Sequence, residues 1–409
     1  MTPSPRIPPP AVTVVGIGAD GWRGLSPAAQ EELRAADVVI GSSRQLELLA
    51  DVPAQRVSWP SPMLPALRSL LEEHAGRPIC VLASGDPMFF GVGGTIVRML
   101  GAERVRVLPQ ASSLSLACAR TGWSLDRVEV VSLVGRPVQQ LHPLVQPDRQ
   151  VLALSADGST PAAIAELLTG RGYGGSRMTV LERLGSDDER QLSATARDWQ
   201  HSTADSLNIV AIEARADDDA APLPRVPGLP DDAYEHDGQL TKREVRAITL
   251  AHLAPAPGQL LWDVGSGAAS VAIEWMRTHS SCRAVAFEAR EERADRSERN
   301  AAELGVPGME VVRGRAPEVL SDRERPSAVF VGGGASAPEV VETCWDALLP
   351  GGRLVINAVT VESEAVLAGW HEHLGGELLR TQISRGSPVG GFTGWRAMMP
   401  VTTWKVAKR

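Results

Sequence analysis

The sequence predicts an α/β protein of two units, a bilobal first one and a Rossmann-like second one. Three observations carry this. Short buried apolar runs alternate with helix-length amphipathic segments along most of the chain. The joints between them are rich in glycine and small polar residues. The stretch Ala214–Pro230, ARADDDAAPLPRVPGLP, interrupts the pattern with an acidic run and four prolines, the composition of a linker. A length of 409 residues leaves room for two or three cores. The division expected is a disordered lead-in over 1–10, a first domain over 11–214, a linker over 215–235 and a second domain over 236–409.

Bulk properties exclude several classes. A formal charge of −8 argues against a nucleic-acid or anionic-membrane surface. Cys80, Cys118, Cys282 and Cys344 are scattered without a C-x-x-C pair, so neither a zinc site nor a disulfide framework is expected. A reducing cytoplasm is the compartment this implies. MTPSPRIPPP lacks the apolar stretch of a signal peptide, and no window approaches 18 uninterrupted apolar residues, so no membrane span is expected.

In the first unit, Val12–Val15 reads as a strand entering Gly16-Ile17-Gly18-Ala19-Asp20-Gly21. This is a literal G-x-G-x-x-G, yet the helix opens later, at Ser26-Pro27, and the strand Asp37–Ile40 ends in Gly41-Ser42-Ser43 without an acid. A nicotinamide site is therefore not indicated. Ile79–Ala83 leads into Ser84-Gly85-Asp86-Pro87-Met88-Phe89-Phe90-Gly91, and Arg104–Leu108 leads through Pro109 to Ser112-Ser113. Val128–Leu133 enters Val134-Gly135-Arg136, and Gln150–Leu154 is a further strand. Thr160-Pro161 opens a helix ending at Gly170, and the strands Met178–Glu182 and Leu207–Glu213 complete a second lobe.

Taken in order, strand-GIG-x-x-G, S-G-D-P-x-F-F-G, P-x-x-S-S, the T-P helix, L-E-R-L-G and N-I-V-A-I-E resemble the tetrapyrrole (class III) methyltransferases over residues 11–214. The resemblance implies S-adenosylmethionine (SAM) bound between two lobes by Ser84, Gly85, Asp86, Phe89, Phe90, Ser112 and Ser113. It also implies that Gly16–Gly18 faces substrate. Val134 stands where the nearest subfamily commonly has His, so a proton role at that position is absent.

The second unit opens on Thr241-Lys242-Arg243-Glu244, read as a T-x-x-E capping box before a helix carrying Val245, Ile248 and His252. The apolar run Leu260–Trp262 ends at Asp263 and enters Gly265-Ser266-Gly267, ahead of a helix with Val271, Ile273 and Trp275. Strand, glycine turn and helix bring backbone N–H groups close to a ligand. Twenty-one residues past Gly267, the run Ala284–Phe287 ends on Glu288, the spacing of an acid that holds a nucleoside ribose. Ser270 occupies the place of a third dinucleotide glycine, which turns the reading away from NAD. Further βα units end in Gly314-Arg315-Ala316-Pro317, in Gly332-Gly333-Gly334 and at Asn357, and Met398–Val406 reads as a closing strand. The alternation predicts a parallel sheet with ligands at the strand carboxyl ends.

Acid-x-Gly-x-Gly followed by an acid one strand later resembles a class I SAM methyltransferase. With E-W, A-F-E, R-G-R-A-P, F-V-G-G-G and I-N-A-V-T added, residues 238–400 resemble the decarboxylating precorrin methyltransferases of cobalamin synthesis. Thr241, Asp263, Gly265, Ser266, Gly267, Glu288, Gly314 and Ala316 are the cofactor residues this implies. Ala269 replaces the family's usual glycine, so its backbone is expected to avoid positive φ.

Two SAM folds in one chain suggest two methylations of one scaffold, and the resemblance implies that this scaffold is a reduced precorrin-6, methylated at meso carbons 5 and 15. Loss of carbon dioxide from the ring C acetate accompanies them. One SAM per domain, a tetrapyrrole substrate, no metal, no nucleic acid, no membrane and a homo-oligomer are the expected partners. A SAM-binding regulator without turnover, or a first domain serving only as scaffold, are the alternatives. The substrate's many carboxylates call for cations and amides at each cleft; Arg44, Arg136, Lys242, Arg243 and Asn357 are the candidates.

Overall fold

A computed structural model describes residues 11–60, 62–221 and 223–409, so the expected lead-in lies outside the described residues. One compact unit runs to Val138 and resumes over Pro147–Ala220, while the other takes Gln139–Gln146 and Ala221–Arg409.

The first unit holds two five-stranded sheets. Strands β1 (Val12–Ile17), β2 (Val38–Gly41), β3 (Gln55–Ser58), β4 (Ile79–Ser84) and β5 (Val105–Leu108) form a parallel sheet in the order β3-β2-β4-β1-β5. β1, β2 and β4 are almost wholly buried, as their unbroken Val/Ile/Leu runs require between two covered faces. Past β1 a short 3-10 turn, Gly21–Gly24, precedes the helix Pro27–Ala35. Ser26 caps that helix, its Oγ accepting the Ala29 N–H at 3.2 Å. Strands β6 (Glu129–Ser132), β7 (Gln150–Leu154), β8 (Arg177–Glu182), β9 (Arg190–Thr195) and β10 (Asn208–Glu213) make the second sheet, ordered β6-β7-β10-β8-β9. Only β6 and β7 pair in parallel there. The helix Thr160–Gly170 buries Ile164 and Leu168 against this lobe.

In the second unit, β11 (Leu260–Val264), β12 (Arg283–Glu288), β13 (Glu310–Arg313), β14 (Ala328–Val331), β15 (Arg353–Ala358), β16 (Glu377–Thr381) and β19 (Val401–Ala407) form one sheet, β13-β12-β11-β14-β15-β19-β16. The first five are parallel, but β19 runs antiparallel between β15 and β16. The parallel sheet expected from βα alternation therefore holds for six strands, β16 included after the helix Val361–Leu374, and only β19, which follows the β17–β18 hairpin instead of a helix, runs against them. Strands β17 (Ser384–Val389) and β18 (Phe392–Ala397) form a separate hairpin. Trp262, Trp275 and Trp404 fill the core on the two faces of the sheet. No helix among the described residues is long and apolar enough to cross a membrane.

Candidate active sites

The first unit gathers its small-residue turns at the carboxyl ends of β4, β1 and β5, neighbours in the sheet. Gly85 has φ +59°, and its N–H donates to the Ile17 carbonyl at 3.0 Å. A Cβ at this position would lie 3.1 Å from Ser112 Cα and 3.3 Å from the Ala111 carbonyl oxygen. A Cβ on Gly16 would lie 2.2 Å from the Gly85 carbonyl oxygen and 2.7 Å from Gln110 N. Three turns thus touch backbone to backbone, which side chains at these glycines would prevent.

Around this cradle the candidate residues are near neighbours. The Ser84 hydroxyl accepts from Arg44 Nη2 at 3.2 Å and from Gln45 Nε2 at 3.0 Å. Asp86 Oδ1 accepts the Met88 N–H at 2.8 Å, a local turn that fixes the loop. Ser112 caps the helix that starts at Ser113, its Oγ accepting the Ser115 N–H at 3.1 Å. Phe89 and Phe90 stand edge to face with ring centres 5.0 Å apart, 43% and 53% exposed. Arg136 lies in the other lobe with Nη1 3.4 Å from the Ser132 carbonyl. Beside it Val134 is 60% exposed, so that turn presents an apolar side chain.

In the second unit the site is closed. Asp263, at the end of β11, is 1% exposed; its Oδ2 accepts the Ala272 N–H at 3.1 Å and its Oδ1 has no partner. Burial pushes its carboxyl up to about 7 against the pull of that N–H. Gly265 (φ +70°) approaches the Gly332-Gly333-Gly334 turn so closely that a Cβ would sit 2.6 Å from the Gly333 carbonyl oxygen. Ser266 Oγ is buried without a partner. Glu288 is tied to the turn: Oε2 accepts the Gly267 N–H and Oε1 the Arg290 N–H, both at 2.9 Å. The Gly314 N–H donates to the Glu288 carbonyl at 2.9 Å, and Ala316 precedes a cis proline in the same loop.

Two sequence expectations are corrected here. Thr241 and Glu244 form no capping box: the helix runs Arg243–Leu253, with Lys242 in the cap position and no side-chain cap. Arg246 Nη1 holds the Thr241 carbonyl at 2.6 Å, so the chain enters the helix one residue late, and Glu244 pairs with Arg385 at 2.5 Å instead. Ala269 does adopt positive φ, +55°. Its N–H reaches the Ser266 carbonyl at 2.8 Å and its carbonyl accepts from Ile273 at 2.9 Å, bonds that start the helix and offset an αL cost of about 1–2 kcal/mol.

The remaining candidates are placed as follows. Arg243 is exposed, and its N–H donates to Asp231 Oδ1 at 2.8 Å. Asn357 bridges Thr249 Oγ1, 2.8 Å from its Nδ2, and Thr403 Oγ1, 2.7 Å from its Oδ1. One amide hydrogen is left for a ligand.

A buried ionic network was missed from the sequence. Arg246, fully buried, donates through Nε to Glu274 Oε1 at 2.6 Å, and its guanidinium lies 4.7 Å from the Tyr234 ring centre. Glu274 also accepts from Gly228 N at 2.6 Å, Leu229 N at 3.0 Å and the Tyr234 hydroxyl at 2.9 Å. It straps residues 228–242 to the helix Ser270–Thr278. Glu274 lay in the E-W motif, but nothing in the spacing marked Arg246 or Tyr234 as its partners.

Both sites fit SAM. In the second unit two unpartnered buried oxygens, Asp263 Oδ1 and Ser266 Oγ, suit the donors of a cationic amino-acid tail, beside a carboxylate spaced for a ribose. In the first, the close packing of the three turns gathers the polar groups of Ser84, Asp86 and Ser112 at the strand ends, where the hydrogen-bonding parts of a nucleoside could be met.

Two family models match the chain: Tetrapyrrole (Corrin/Porphyrin) Methylases over residues 11–200, and Precorrin methyltransferase domain over residues 232–408. Precorrin-6Y C(5,15)-methyltransferase (decarboxylating) of Mycobacterium tuberculosis H37Rv is 48% identical over 402 residues, 97% of this chain and 100% of the relative. Cobalt-precorrin-7 C(5)-methyltransferase of Salmonella typhimurium is 32% identical over 179 residues, 44% of this chain and 88% of the relative. Probable cobalt-precorrin-6B C(15)-methyltransferase (decarboxylating) of Saccharolobus solfataricus is 32% identical over 144 residues, 34% of this chain and 72% of the relative.

Proposed function

The chain belongs to the precorrin-6Y C5,15-methyltransferase (decarboxylating) family, and from that premise we propose how its two units divide the reaction. It is a SAM-dependent C-methyltransferase of cobalamin biosynthesis. It methylates reduced precorrin-6 at C5 and C15 and removes the ring C acetate carboxyl as carbon dioxide, giving precorrin-8. In our reading the first unit methylates C5 and the second decarboxylates and methylates C15, each with its own SAM. Two relatives whose names carry one reaction each, C(5) alone and C(15) with decarboxylation, support the division. The observation that carries it is the pair of glycine cradles, each built at the carboxyl end of its own parallel strands.

Bound SAM supplies an electrophilic methyl group. The reduced meso carbon is an enamine-like nucleophile, so the chain's work is to orient it and exclude water. In the second unit Glu288 and the turn Gly265–Gly267 hold the nucleoside, Asp263 and Ser266 hold the charged tail, and Thr241, Gly314 and Ala316 close around it. In the first, Ser84, Gly85, Asp86, Phe89, Phe90, Ser112 and Ser113 do the same. Arg44 and Arg136, and Lys242, Arg243 and Asn357, take the macrocycle's carboxylates. The macrocycle itself is the electron sink for decarboxylation.

We further assign the chain to the cytoplasm, without nucleic-acid partners, as a homo-oligomer. Four free buried cysteines and the charge of −8 support the first two. The β17–β18 hairpin supports the third, exposing Val389, Phe392 and Trp395 by 60%, 84% and 83%.

The test is mass spectrometry of anaerobic incubations of the full chain with reduced precorrin-6 and SAM. Wild type gains two methyl groups and loses one carbon dioxide. Gly265→Val gains one methyl group and loses no carbon dioxide. A wild type that gains one methyl and loses carbon dioxide makes the first unit a scaffold, in line with the exposed Val134. No mass change with SAM bound makes the chain a regulator.

A further inference from the structure

The helix Glu291–Glu303 follows β12 and turns a polar face to the second unit's cofactor turn and to the strap 228–242. Its residues sort by what they touch. Arg293 holds Asp237 Oδ2 at 2.8 Å and Gln239 Oε1 at 3.0 Å, and Arg299 holds Glu235 at 2.8 and 2.7 Å; both reach the strap. Ser297 Oγ donates to the Gly267 carbonyl at 3.0 Å and reaches the turn. Asn300 reaches both. Its Oδ1 accepts the Glu235 N–H at 2.9 Å, while Nδ2 donates to the Glu235 carbonyl at 3.0 Å and the Ala268 carbonyl at 3.1 Å.

We infer that Asn300 is a positioning residue that sets the gap between strap and glycine turn, and with it the SAM affinity of the second unit. The inference rests on the reading that this turn holds SAM. Strap and turn face each other at Gly267, where a Cβ would come 3.7 Å from the Gln239 carbonyl oxygen. Asn300 is 3% exposed, so its carboxamide keeps all three bonds or leaves a desolvated polar atom. Satisfying them fixes Glu235 and Ala268 one amide apart, and six residues beyond Glu235 the strap delivers Thr241. An aspartate could not substitute, because its oxygens would face two carbonyls. The helix bonds only the backs of the turn's peptides, so Asn300 acts on the ligand through them.

The test is calorimetric titration of the full chain with S-adenosylhomocysteine, well below the melting temperature. Gly267→Val defines the second unit's share, since an L side chain is strained at its φ of +61°. Asn300→Ala weakens that share at least tenfold, and Asn300→Asp at least as much. Asn300→Ser, which folds more readily, weakens it by an intermediate factor. Ser297→Ala and Arg299→Ala, which loosen only turn or only strap, each weaken it threefold or less. In turnover Asn300→Ala raises the KM for SAM and leaves kcat within twofold. Asn300 variants that lower the melting temperature but bind within threefold of wild type overturn the inference. If Gly267→Val removes no binding, the turn is not the cofactor site, and the reading beneath the inference falls with it.

Discussion

Both units place glycine turns at the carboxyl ends of parallel strands, yet they use acids in opposite ways. In the first, the acid of the cradle, Asp86, is half-buried in its local turn, while the buried acid of the other lobe, Glu182, is paired with Arg190 at 2.5 Å. In the second, Asp263 and Glu288 are buried, tied to backbone N–H groups and without an arginine partner in their hydrogen bonds. The difference teaches that a backbone cradle can be open, relying on shape, or closed, relying on desolvated charge. A closed site gains electrostatic strength and acquires pH sensitivity with it.

The sharpest way to break this contrast is through the buried ions. Arg246→Met leaves Glu274 uncompensated and is expected to cost the second unit about 3–5 kcal/mol. Arg120→Ala, which removes the solvent-screened pair with Glu189 in the first unit, is expected to cost only a small fraction of that. Denaturant unfolding that gives equal losses refutes the contrast. Next comes pH. Asp263 has a folded pKa raised to about 7, so its contribution is fully present below its unfolded value near 3.8 and is lost as pH rises through 7. Asp263→Asn should flatten that decline, on the order of 4 kcal/mol between pH 4 and 8. Glu182 carries the opposite sign: the Arg190 hydrogen bond lowers its pKa, so its contribution is lost as pH falls. Glu182→Gln should therefore remove an acid-side loss instead, measured in the same melting series.

Two smaller substitutions sharpen the geometry. Gly85→Ala meets both positive φ and the Ser112 backbone, and should cost about 1–3 kcal/mol with loss of cofactor affinity in the first unit. Ala269→Gly relieves αL strain but removes a buried methyl and adds backbone entropy, so thermal melting should move by less than about 1 kcal/mol equivalent.

What was legible followed local chemistry. The placement of Asp263 and Glu288 at strand ends and of Gly265 and Gly267 in the βα turn could be read because an acid ending a strand and a glycine in such a turn each have a local reason. β3 and β9 could not, since QRVS and RQLSAT are polar edge strands with no alternation to mark them. Arg246 and Glu274 lie 28 residues apart and resemble ordinary helix-surface charges until the strap buries them. Ala269 misled because alanine disfavours the conformation that the turn's bonds impose. The motif order carried the family where single residues did not, and Thr241 shows the limit: a sound capping pattern yielded to an arginine five residues on.

The strand orders also bear on how the protein is made. In each unit the strand latest in sequence, β10 or β19, lies between two earlier ones. Pairs β6–β7 and β8–β9 can form as ribbons during synthesis, but only β10 welds them into one lobe. Among the described residues β16 has β19 as its sole sheet partner, and the whole β17–β18 hairpin is made in between. β16 therefore keeps both edges bare until β19 has been made and can pair with it. During that interval a chaperone, or another nascent chain, competes for the place that β19 will take.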